Sequence, residues 1–195
     1  MSLRQIWSVP KSVPAILVYR TMKSKALVDE DLRRAGYQSG AMGLHRALRE
    51  SRPFRSIFRF RVYRESKWKL SLIRWAYPTV DSLELNVVSG EIGKGFVIQH
   101  GYSTVIFARA IGENCTILHN VTIGRGRLIN GTDIPEIGDN VSIYTGATII
   151  GGIRIGSNVD VGAGAVVVHD VPDNCVVAGV PAQIVRRKEQ GKESS

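Results

Sequence analysis

The chain has 195 residues, 44% of them hydrophobic, and a formal net charge of +9 at neutral pH. This length and composition indicate one globular domain, with or without a smaller attachment, and exclude a disordered chain. No apolar run reaches the roughly 18 residues that a membrane-spanning helix needs, so we expect a cytoplasmic protein. Two cysteines, Cys115 and Cys175, are too few for a disulfide framework and lack the spacing of metal ligands.

Charge divides the chain into two different halves. Residues 1–80 hold 17 Lys and Arg against 5 Asp and Glu, a net charge of +12, whereas residues 81–195 hold 9 against 12 and carry −3. The first half contains no repeat. Its segment Asp29–Arg49 has the acidic start, basic end and apolar spacing of a helix, weakened by three glycines. We predict a basic α-helical N-terminal region over residues 1–80.

The segment Phe54–Tyr77 interleaves aromatic residues with arginine and lysine, and three interpretations of it stay open. A helical cap would pack its aromatic side chains on the second half of the chain and leave the basic ones in solvent. A membrane-surface helix would use the same residues to contact anionic headgroups. Nucleic acid binding is the third interpretation, but no recognised motif supports it, so we expect no nucleic acid partner.

The second half contains a repeat with a period of six. Aliphatic residues recur at every sixth position from residue 137 to residue 167, and two upstream sets keep the same spacing. Neither the helical period of 3.6 nor the strand period of 2 fits this pattern. A period of six suits short strands that turn a corner at each hexad, with one aliphatic side chain per hexad pointing inward. The members are Ile92, Ile98, Ile111, Ile117, Ile123, Ile137, Ile143, Ile149, Ile155, Val161 and Val167.

Two of the four histidines occupy equivalent positions in this repeat. His100 and His119 each lie two residues after an aliphatic member, so stacking of the coils brings the two imidazoles together. Thr145 and Ala163 take the same position in later hexads. Residues 125–135 form an excursion from the repeat, and Thr145 and Ala163 join the column if this excursion leaves the later hexads on the same faces of the coil. Imidazole accepts a proton near neutral pH, as the deprotonation of a hydroxyl requires. We predict a column with a base at one end and small side chains at the other.

Residues of about 84–185 resemble the hexapeptide-repeat acyltransferases. The stretches that carry the resemblance are IGKGFVIQHG, AIGENCTILHNVTIG, EIGDNVSIYTGATIIGGIRIGSNVDVGAGAVVVHDVPDN and AGVPAQIV. The resemblance implies a mainly β fold, with a left-handed parallel β-helix over 81–178 and a C-terminal tail over 179–195. It also implies acetyl-CoA as donor and a homotrimer with active sites between subunits. The chain is most similar to serine acetyltransferases and to the O-acetyltransferases of capsule and exopolysaccharide synthesis.

The resemblance implies roles for individual residues. His100, followed by Gly101, matches the catalytic histidine of the family. Glu84 falls one residue out of register with the carboxylate that orients this histidine, and His119 matches a second histidine of the polysaccharide branch. The positions that match the coenzyme A groove are Thr145, Gly146, Ala163 and Arg187, the last of them placed to meet phosphate.

Two departures from the serine acetyltransferases bear on the acceptor. Those enzymes carry aspartate immediately before the catalytic histidine, where this chain has Gln99. They carry Arg-His before the proline of the loop, where this chain has Asp133 and Ile134. The family residues are expected to hold the amino and carboxylate groups of serine, and Asp133 would repel a carboxylate.

We therefore expect an O-acetyltransferase that moves acetyl from acetyl-CoA to a sugar hydroxyl of a surface polysaccharide or its lipid-linked precursor. The attack is direct, with His100 as general base and no metal. The expected partners are a sugar or lipid-linked oligosaccharide, further copies of the chain as a trimer or a dimer of trimers, and the inner face of the membrane, contacted by the basic N-terminal region.

Three alternatives stay open. The first is a serine O-acetyltransferase of cysteine biosynthesis. The second is a zinc hydratase of the same fold, which is disfavoured because His169, the next histidine after His119, lies far beyond a neighbouring corner. The third is a non-catalytic scaffold, which predicts no binding of coenzyme A.

Overall fold

The computed structural model describes residues 9–129 and 131–188. The chain forms two compact units, Met1–Val80 together with Lys94–Val97, and Asp81–Gly93 together with Ile98–Ser195. The described part of the first unit is helical, and that of the second is built from short strands. Within the described residues, no helix is both long and apolar enough to cross a bilayer.

Helices make up the described part of the first unit. They are α1 (Val9–Arg20), α2 (Lys25–Arg34), α3 (Ala41–Glu50), α4 (Arg52–Glu65) and α5 (Lys67–Ile73). The helix predicted over Asp29–Arg49 is therefore two helices. Between them Gly36 and Gly40 adopt φ angles of 83° and 92°, a left-handed conformation that glycine reaches without steric cost. These glycines break the helix that they were expected only to weaken.

The aromatic residues of Phe54–Tyr77 divide between the core of the helical unit and its surface. Phe54 and Phe58 of α4, together with Tyr77, are buried among aliphatic residues of the other helices. Trp68 and Trp75 are 66% and 86% exposed. One segment thus supplies both the core of the unit and an exposed aromatic surface.

A buried ion pair joins α2 to α4. The guanidinium of Arg61 donates to both carboxylate oxygens of Asp31, over 3.0 and 3.2 Å, and the two side chains are 5% and 1% exposed. The same carboxylate accepts the backbone N–H of Phe96 over 2.8 Å. Since a buried charge without partners is costly, these bonds fix α2, α4 and the segment Lys94–Val97 to one another.

The second unit is a parallel β-helix of about five coils, as the period of six predicts. One sheet has the order β1-β3-β5-β8-β11, a second the order β13-β12-β10-β7-β4-β2, and the third contains β6 and β9, extended by single bridges. The strands are β1 (Leu83–Val87), β2 (Val97–Ile98), β3 (Thr104–Ala108), β4 (Thr116–Ile117), β5 (Thr122–Gly124), β6 (Glu136–Ile137), β7 (Ser142–Ile143), β8 (Thr148–Ile150), β9 (Arg154–Ile155), β10 (Asp160–Val161), β11 (Val166–Val167), β12 (Cys175–Ala178) and β13 (Gln183–Arg187).

The aliphatic members of the repeat fill the interior of this β-helix. All eleven are buried, and each coil sets its members on those of the next, as in the pairs Ile123 with Ile149 and Ile137 with Ile155. Asparagine occupies the corners of the coils, because its short polar side chain tolerates positive φ. The corner asparagines with φ between 53° and 58° are Asn114, Asn120, Asn140, Asn158 and Asn174.

Glycines also allow the coils to approach closely on one face of the β-helix. A Cβ on Gly138 would lie 2.8 Å from the backbone carbon of Gly156 in the next coil, and one on Gly112 would lie 2.6 Å from Gly138. No real side chain tolerates such distances. This glycine column is therefore a requirement of the stacking distance.

The β-helix ends in a strand of opposite direction. β13 pairs antiparallel with β12, whereas the other paired strands of the same sheet are parallel. Of the expected C-terminal tail, Gln183–Arg187 thus belongs to the sheet, and residues 179–182 form the turn that leads into it.

Candidate active site

The predicted column of side chains is present in the β-helix. Ile117 lies opposite Ile143 and Ile143 opposite Val161, so the excursion 125–135 leaves the register unchanged. The positions two residues later therefore stack as His119, Thr145 and Ala163. Backbone hydrogen bonds follow the same line, from Gly146 N–H to the His119 carbonyl (3.3 Å) and from Gly164 N–H to the Thr145 carbonyl (2.9 Å).

His100 lies in an enlarged corner at one end of this column. Eight positions separate Ile98 from Ile106, whereas six separate Ile117 from Ile123 on the next coil. The backbone N–H of Gln99 still donates to the Ile117 carbonyl over 2.9 Å, so the corner enlarges only after residue 99. The two additional residues therefore project the chain outward at the histidine. Counting residues between the aliphatic positions would have revealed this feature in the sequence.

The backbone at His100 is strained. Its φ is 65°, and the N–H of Gly101 donates to the Gln99 carbonyl over 2.8 Å, which closes a three-residue γ-turn around the histidine. Turns of this kind with positive φ are rare and strained. The side chain is exposed. Strained backbone with an exposed titratable side chain is typical of functional positions.

The two imidazoles of the column are in contact. The ring centroids of His100 and His119 are 5.6 Å apart and the ring planes are inclined by 78°, an edge-to-face arrangement. His119 is half-buried, and its Nδ1 is fully covered with no hydrogen-bond partner among the described residues. The column thus presents one exposed histidine that contacts one partly covered histidine.

The structure does not bring Glu84 to His100. Glu84 is exposed on β1 opposite Val105 of β3, whereas His100 precedes that strand. Instead, Ser82, directly before β1, contacts the enlarged corner. Its Oγ accepts the N–H of Ser103 over 3.1 Å. No hydrogen bond joins Glu84 to His100 among residues 9–129 and 131–188, so within one subunit the expected orienting carboxylate is not in place.

The residues predicted to bind coenzyme A fall into two places. Thr145, Gly146 and Ala163 lie along the column, where Gly146 has φ 76° and Ala163 is exposed. Arg187 is exposed on β13 opposite Cys175, at the other end of β12 from the corner that the column occupies. Three of the four predicted residues therefore share one edge, and the arginine does not.

The loop excursion contains an ion pair that the sequence analysis missed. Arg125 Nη1 donates to Asp133 Oδ2 over 2.7 Å, and its guanidinium lies 5.1 Å from the centroid of the Phe107 ring. Asp133, which we expected to repel a carboxylate, therefore has its charge balanced by a neighbouring cation. The sequence signal would have been an arginine and an aspartate at the two ends of one excursion. Among the described residues, no group of three metal-binding side chains occurs.

Comparison with known proteins agrees with the repeat and the β-helix. The family model described as bacterial transferase hexapeptide (six repeats) matches residues 135–169. A serine acetyltransferase of Staphylococcus aureus is 45% identical over 103 residues, which cover 50% of this chain and 46% of that protein. One of Synechococcus elongatus is 41% identical over 97 residues, which cover 49% and 40%. The chain thus spans less than half the length of these two relatives.

Solved structures of serine acetyltransferases are similar to the chain over a larger share. The soybean enzyme complexed with serine has 33% identity and a TM-score of 0.62, over 82% of this chain and 68% of that one. The Neisseria gonorrhoeae enzyme in complex with serine has 27% identity and a TM-score of 0.62, over 87% and 72%.

These findings correct the predicted branch of the family. The relatives and solved structures named above are serine acetyltransferases, so the prediction of a sugar hydroxyl in surface polysaccharide synthesis is wrong. It depended on Gln99, on Ile134 and on Asp133 as a bare negative charge, and of these Arg125 balances only the charge of Asp133. From its repeat, its coils and these similarities, the chain belongs to the hexapeptide-repeat acyltransferase family.

Proposed function

We propose that the chain is an acetyl-CoA-dependent serine O-acetyltransferase, the alternative that the sequence analysis left open. The observation that carries the proposal is the exposed His100 in a strained corner, with His119 one coil away. The similarity of the chain to serine acetyltransferases over about half its length supports the choice of serine as acceptor.

The proposed reaction is a direct transfer on a ternary complex. His100 takes the proton of the serine hydroxyl while the oxygen attacks the thioester carbonyl of acetyl-CoA. The tetrahedral intermediate then collapses, the carbon–sulfur bond breaks, and the coenzyme A thiolate receives the proton from the imidazolium. His119 belongs to this site as the second histidine. The reaction requires no metal and no covalent enzyme intermediate.

Acceptor binding has one supporting feature in the loop excursion. Asp133 stands where the resemblance has an arginine, but the guanidinium of Arg125 lies within hydrogen-bond distance of the Asp133 side chain. The arginine side chain is 65% exposed and uses one donor on Asp133, so further donors remain for a carboxylate. The objection that Asp133 raises to a carboxylate acceptor is therefore weakened, while Gln99 still stands where the resemblance has an aspartate.

For acetyl-CoA we propose the edge that Thr145, Gly146 and Ala163 share. Their small side chains leave room along the column for the pantetheine arm, which would bring the thioester to the histidines. Arg187 remains proposed for phosphate, at a distance from this edge. Glu84 remains proposed as the carboxylate that orients His100, and it would have to act from another subunit.

We also propose an assembly and a location. Hexapeptide-repeat acetyltransferases are generally trimers, and a homotrimer with sites between subunits would give the exposed His100 a second wall. The cytoplasm is the expected compartment, with the exposed aromatic surface around Trp68 and Trp75 as a contact with the inner face of the membrane.

The proposal is tested by following thiol release from acetyl-CoA with L-serine as acceptor and identifying O-acetylserine as product. We expect turnover, and we expect His100→Ala to lower the rate about a hundredfold or more, the usual share of a general base, without changing the subunit number. D-Serine is the control for acceptor recognition. No thiol release with L-serine, or full activity of His100→Ala, would overturn the proposal.

A further inference from the structure

The two nitrogens of the His119 ring have different surroundings. Nδ1, the nitrogen next to the ring carbon that bears the side chain, is fully covered and has no hydrogen-bond partner among the described residues. The residue as a whole is half-buried, and Nε2 is not among the fully covered side-chain atoms without a partner, so the outer end of the ring is accessible. Any hydrogen bond of this imidazole to a ligand therefore involves Nε2.

The covered nitrogen indicates the tautomer. A neutral imidazole carries its hydrogen on only one of the two nitrogens. A buried N–H without an acceptor is rare and costs more than an acceptor atom left unused. We infer that Nδ1 of His119 holds the lone pair and that Nε2 carries the hydrogen. The outer end of the ring is then a hydrogen-bond donor.

A donor at this place has a use in acyl transfer. The reaction needs one group that accepts the hydroxyl proton and another that donates to the oxyanion of the tetrahedral intermediate. The exposed His100 suits the first role, and the edge-to-face contact over 5.6 Å sets His119 beside it. The two histidines therefore divide the two roles between them.

We propose that His119 is the oxyanion donor of this site, through Nε2–H, and that His100 alone is the base. This inference rests on the proposed function. As the serine oxygen bonds to the thioester carbon, the carbonyl electron pair moves to its oxygen, which accepts the hydrogen bond from His119. On collapse that pair re-forms the carbonyl, the thiolate leaves, and the proton held by His100 goes to sulfur.

Three variants of His119 separate this role from a structural one. The side-chain amide of His119→Gln reaches the position of Nε2, whereas that of His119→Asn reaches only the position of Nδ1. We expect His119→Ala and His119→Asn to lower kcat about 10²- to 10³-fold, as the loss of one oxyanion donor does. The kcat of the Gln variant should stay within about tenfold of that of the wild-type enzyme, with an unchanged KM for acetyl-CoA.

The pH dependence gives a second readout. In the Gln variant the acidic limb of the pH–rate profile should persist, because the base is His100. Equal rates of the Gln and Asn variants, or loss of the acidic limb in the Gln variant, would overturn the inference. An original enzyme that releases no thiol with L-serine would instead overturn the proposed function.

A third readout is independent of activity. Two-bond 15N–1H correlation spectra of the full chain distinguish the tautomers of histidine, and the His119→Gln spectrum assigns the signal. We expect the hydrogen on Nε2 at neutral pH. A hydrogen on Nδ1, or on both nitrogens, would rule out the tautomer and with it the proposed donor.

Discussion

His100 combines a chemical role with a conformation that histidine does not favour. With φ at 65°, a side chain meets the steric cost of the left-handed region, and glycine does not. The enlarged corner and the bonds that Gln99 makes hold the residue there. The histidine is therefore maintained at a cost to folding.

This strain predicts that glycine at position 100 is more stable than alanine, although both substitutions remove the base. Relative to His100→Ala, we expect His100→Gly to raise the free energy of unfolding by about 1 kcal/mol, since glycine relieves the strain but gains entropy when unfolded. Both variants should lose at least about a hundredfold in acetyl transfer. Urea unfolding and thiol release measure the two effects. An alanine variant more stable than the glycine variant would contradict the strain.

Sequence reasoning identifies the histidines of the column but not their environment. The spacing of His100 and His119 after aliphatic residues is sufficient to predict that their side chains meet on neighbouring coils. The γ-turn depends on the backbone conformation within the enlarged corner and the covered Nδ1 on packing between coils, and no pattern in the sequence encodes either. Asp133 was misjudged for the same reason, because its partner Arg125 lies eight residues away across a loop.

His45 makes the stability of the helical unit sensitive to pH. Nδ1 of His45 in α3 lies 2.7 Å from Oγ of Ser12 in α1, and Ser12 also bonds to Tyr77. Burial, and to a lesser degree the nearby Arg49, lowers the pKa of His45 below its ordinary value. The unfolded chain thus takes up this proton at higher pH than the folded unit.

The stability of the helical unit should therefore fall as the pH decreases through the ordinary histidine pKa of about 6.5 toward the lower folded value. Above that range the contribution of His45 is fully present. The urea midpoint of the original chain, measured between about pH 7.5 and pH 5, should decrease more steeply than that of His45→Gln. The exposed His169, changed to Gln, is the matched control. Identical slopes for the original chain and the His45 variant would be the contrary result.

At the scale of elements, the stacking of coils depends on the glycine column. A Cβ on Gly138 would approach Gly156 to 2.8 Å, whereas one on Gly124, at the end of β5, would meet nothing within 4 Å. Both glycines have a φ that other residues adopt. A comparison of alanine substitutions at these two positions therefore tests the effect of steric contact at an unchanged backbone conformation.

We expect Gly138→Ala to lower the free energy of unfolding by about 1–3 kcal/mol, the range for overpacking. Gly124→Ala should leave it unchanged or raise it by about 0.5 kcal/mol, because alanine reduces the entropy of the unfolded chain. Thermal and urea unfolding of the two variants check this. A loss of equal size in both would mean that stacking distance is not the cause.

The elements differ in how far the sequence predicts them. The period of six predicts the coils and their register, because each aliphatic residue has one buried position to fill. The break between α2 and α3 escapes the pattern, since glycine is compatible with a weak helix and with a turn alike. The reversal of β13 depends on pairing with β12 and has no period of its own.

At the scale of the whole molecule, charge and exposed aromatic residues coincide in the first half of the chain. Residues 1–80 carry a net charge of +12, and the helical unit exposes Trp68, Leu72 and Trp75 among basic residues. Tryptophan and arginine in this combination favour the headgroup region of anionic membranes.

The protein should therefore float with vesicles that contain anionic lipid at low salt and not with zwitterionic vesicles. Trp68→Ser with Trp75→Ser should weaken this binding, and salt should weaken it further, because ions screen the attraction. Met42→Ser, which alters another exposed apolar residue of the same unit, is the matched control. Equal binding to both kinds of vesicle, or none to either, would argue against a membrane contact.

The antiparallel strand β13 has a consequence for solubility. A β-helix of parallel coils ends in an open row of backbone donors and acceptors, on which a second molecule could continue the stack. β13 crosses this end of its sheet in the opposite direction, and its last residues, Arg186 and Arg187, are exposed and charged. An incoming coil would find neither the matching direction nor a neutral edge. The reversal therefore closes this edge of the six-stranded sheet to continued parallel pairing.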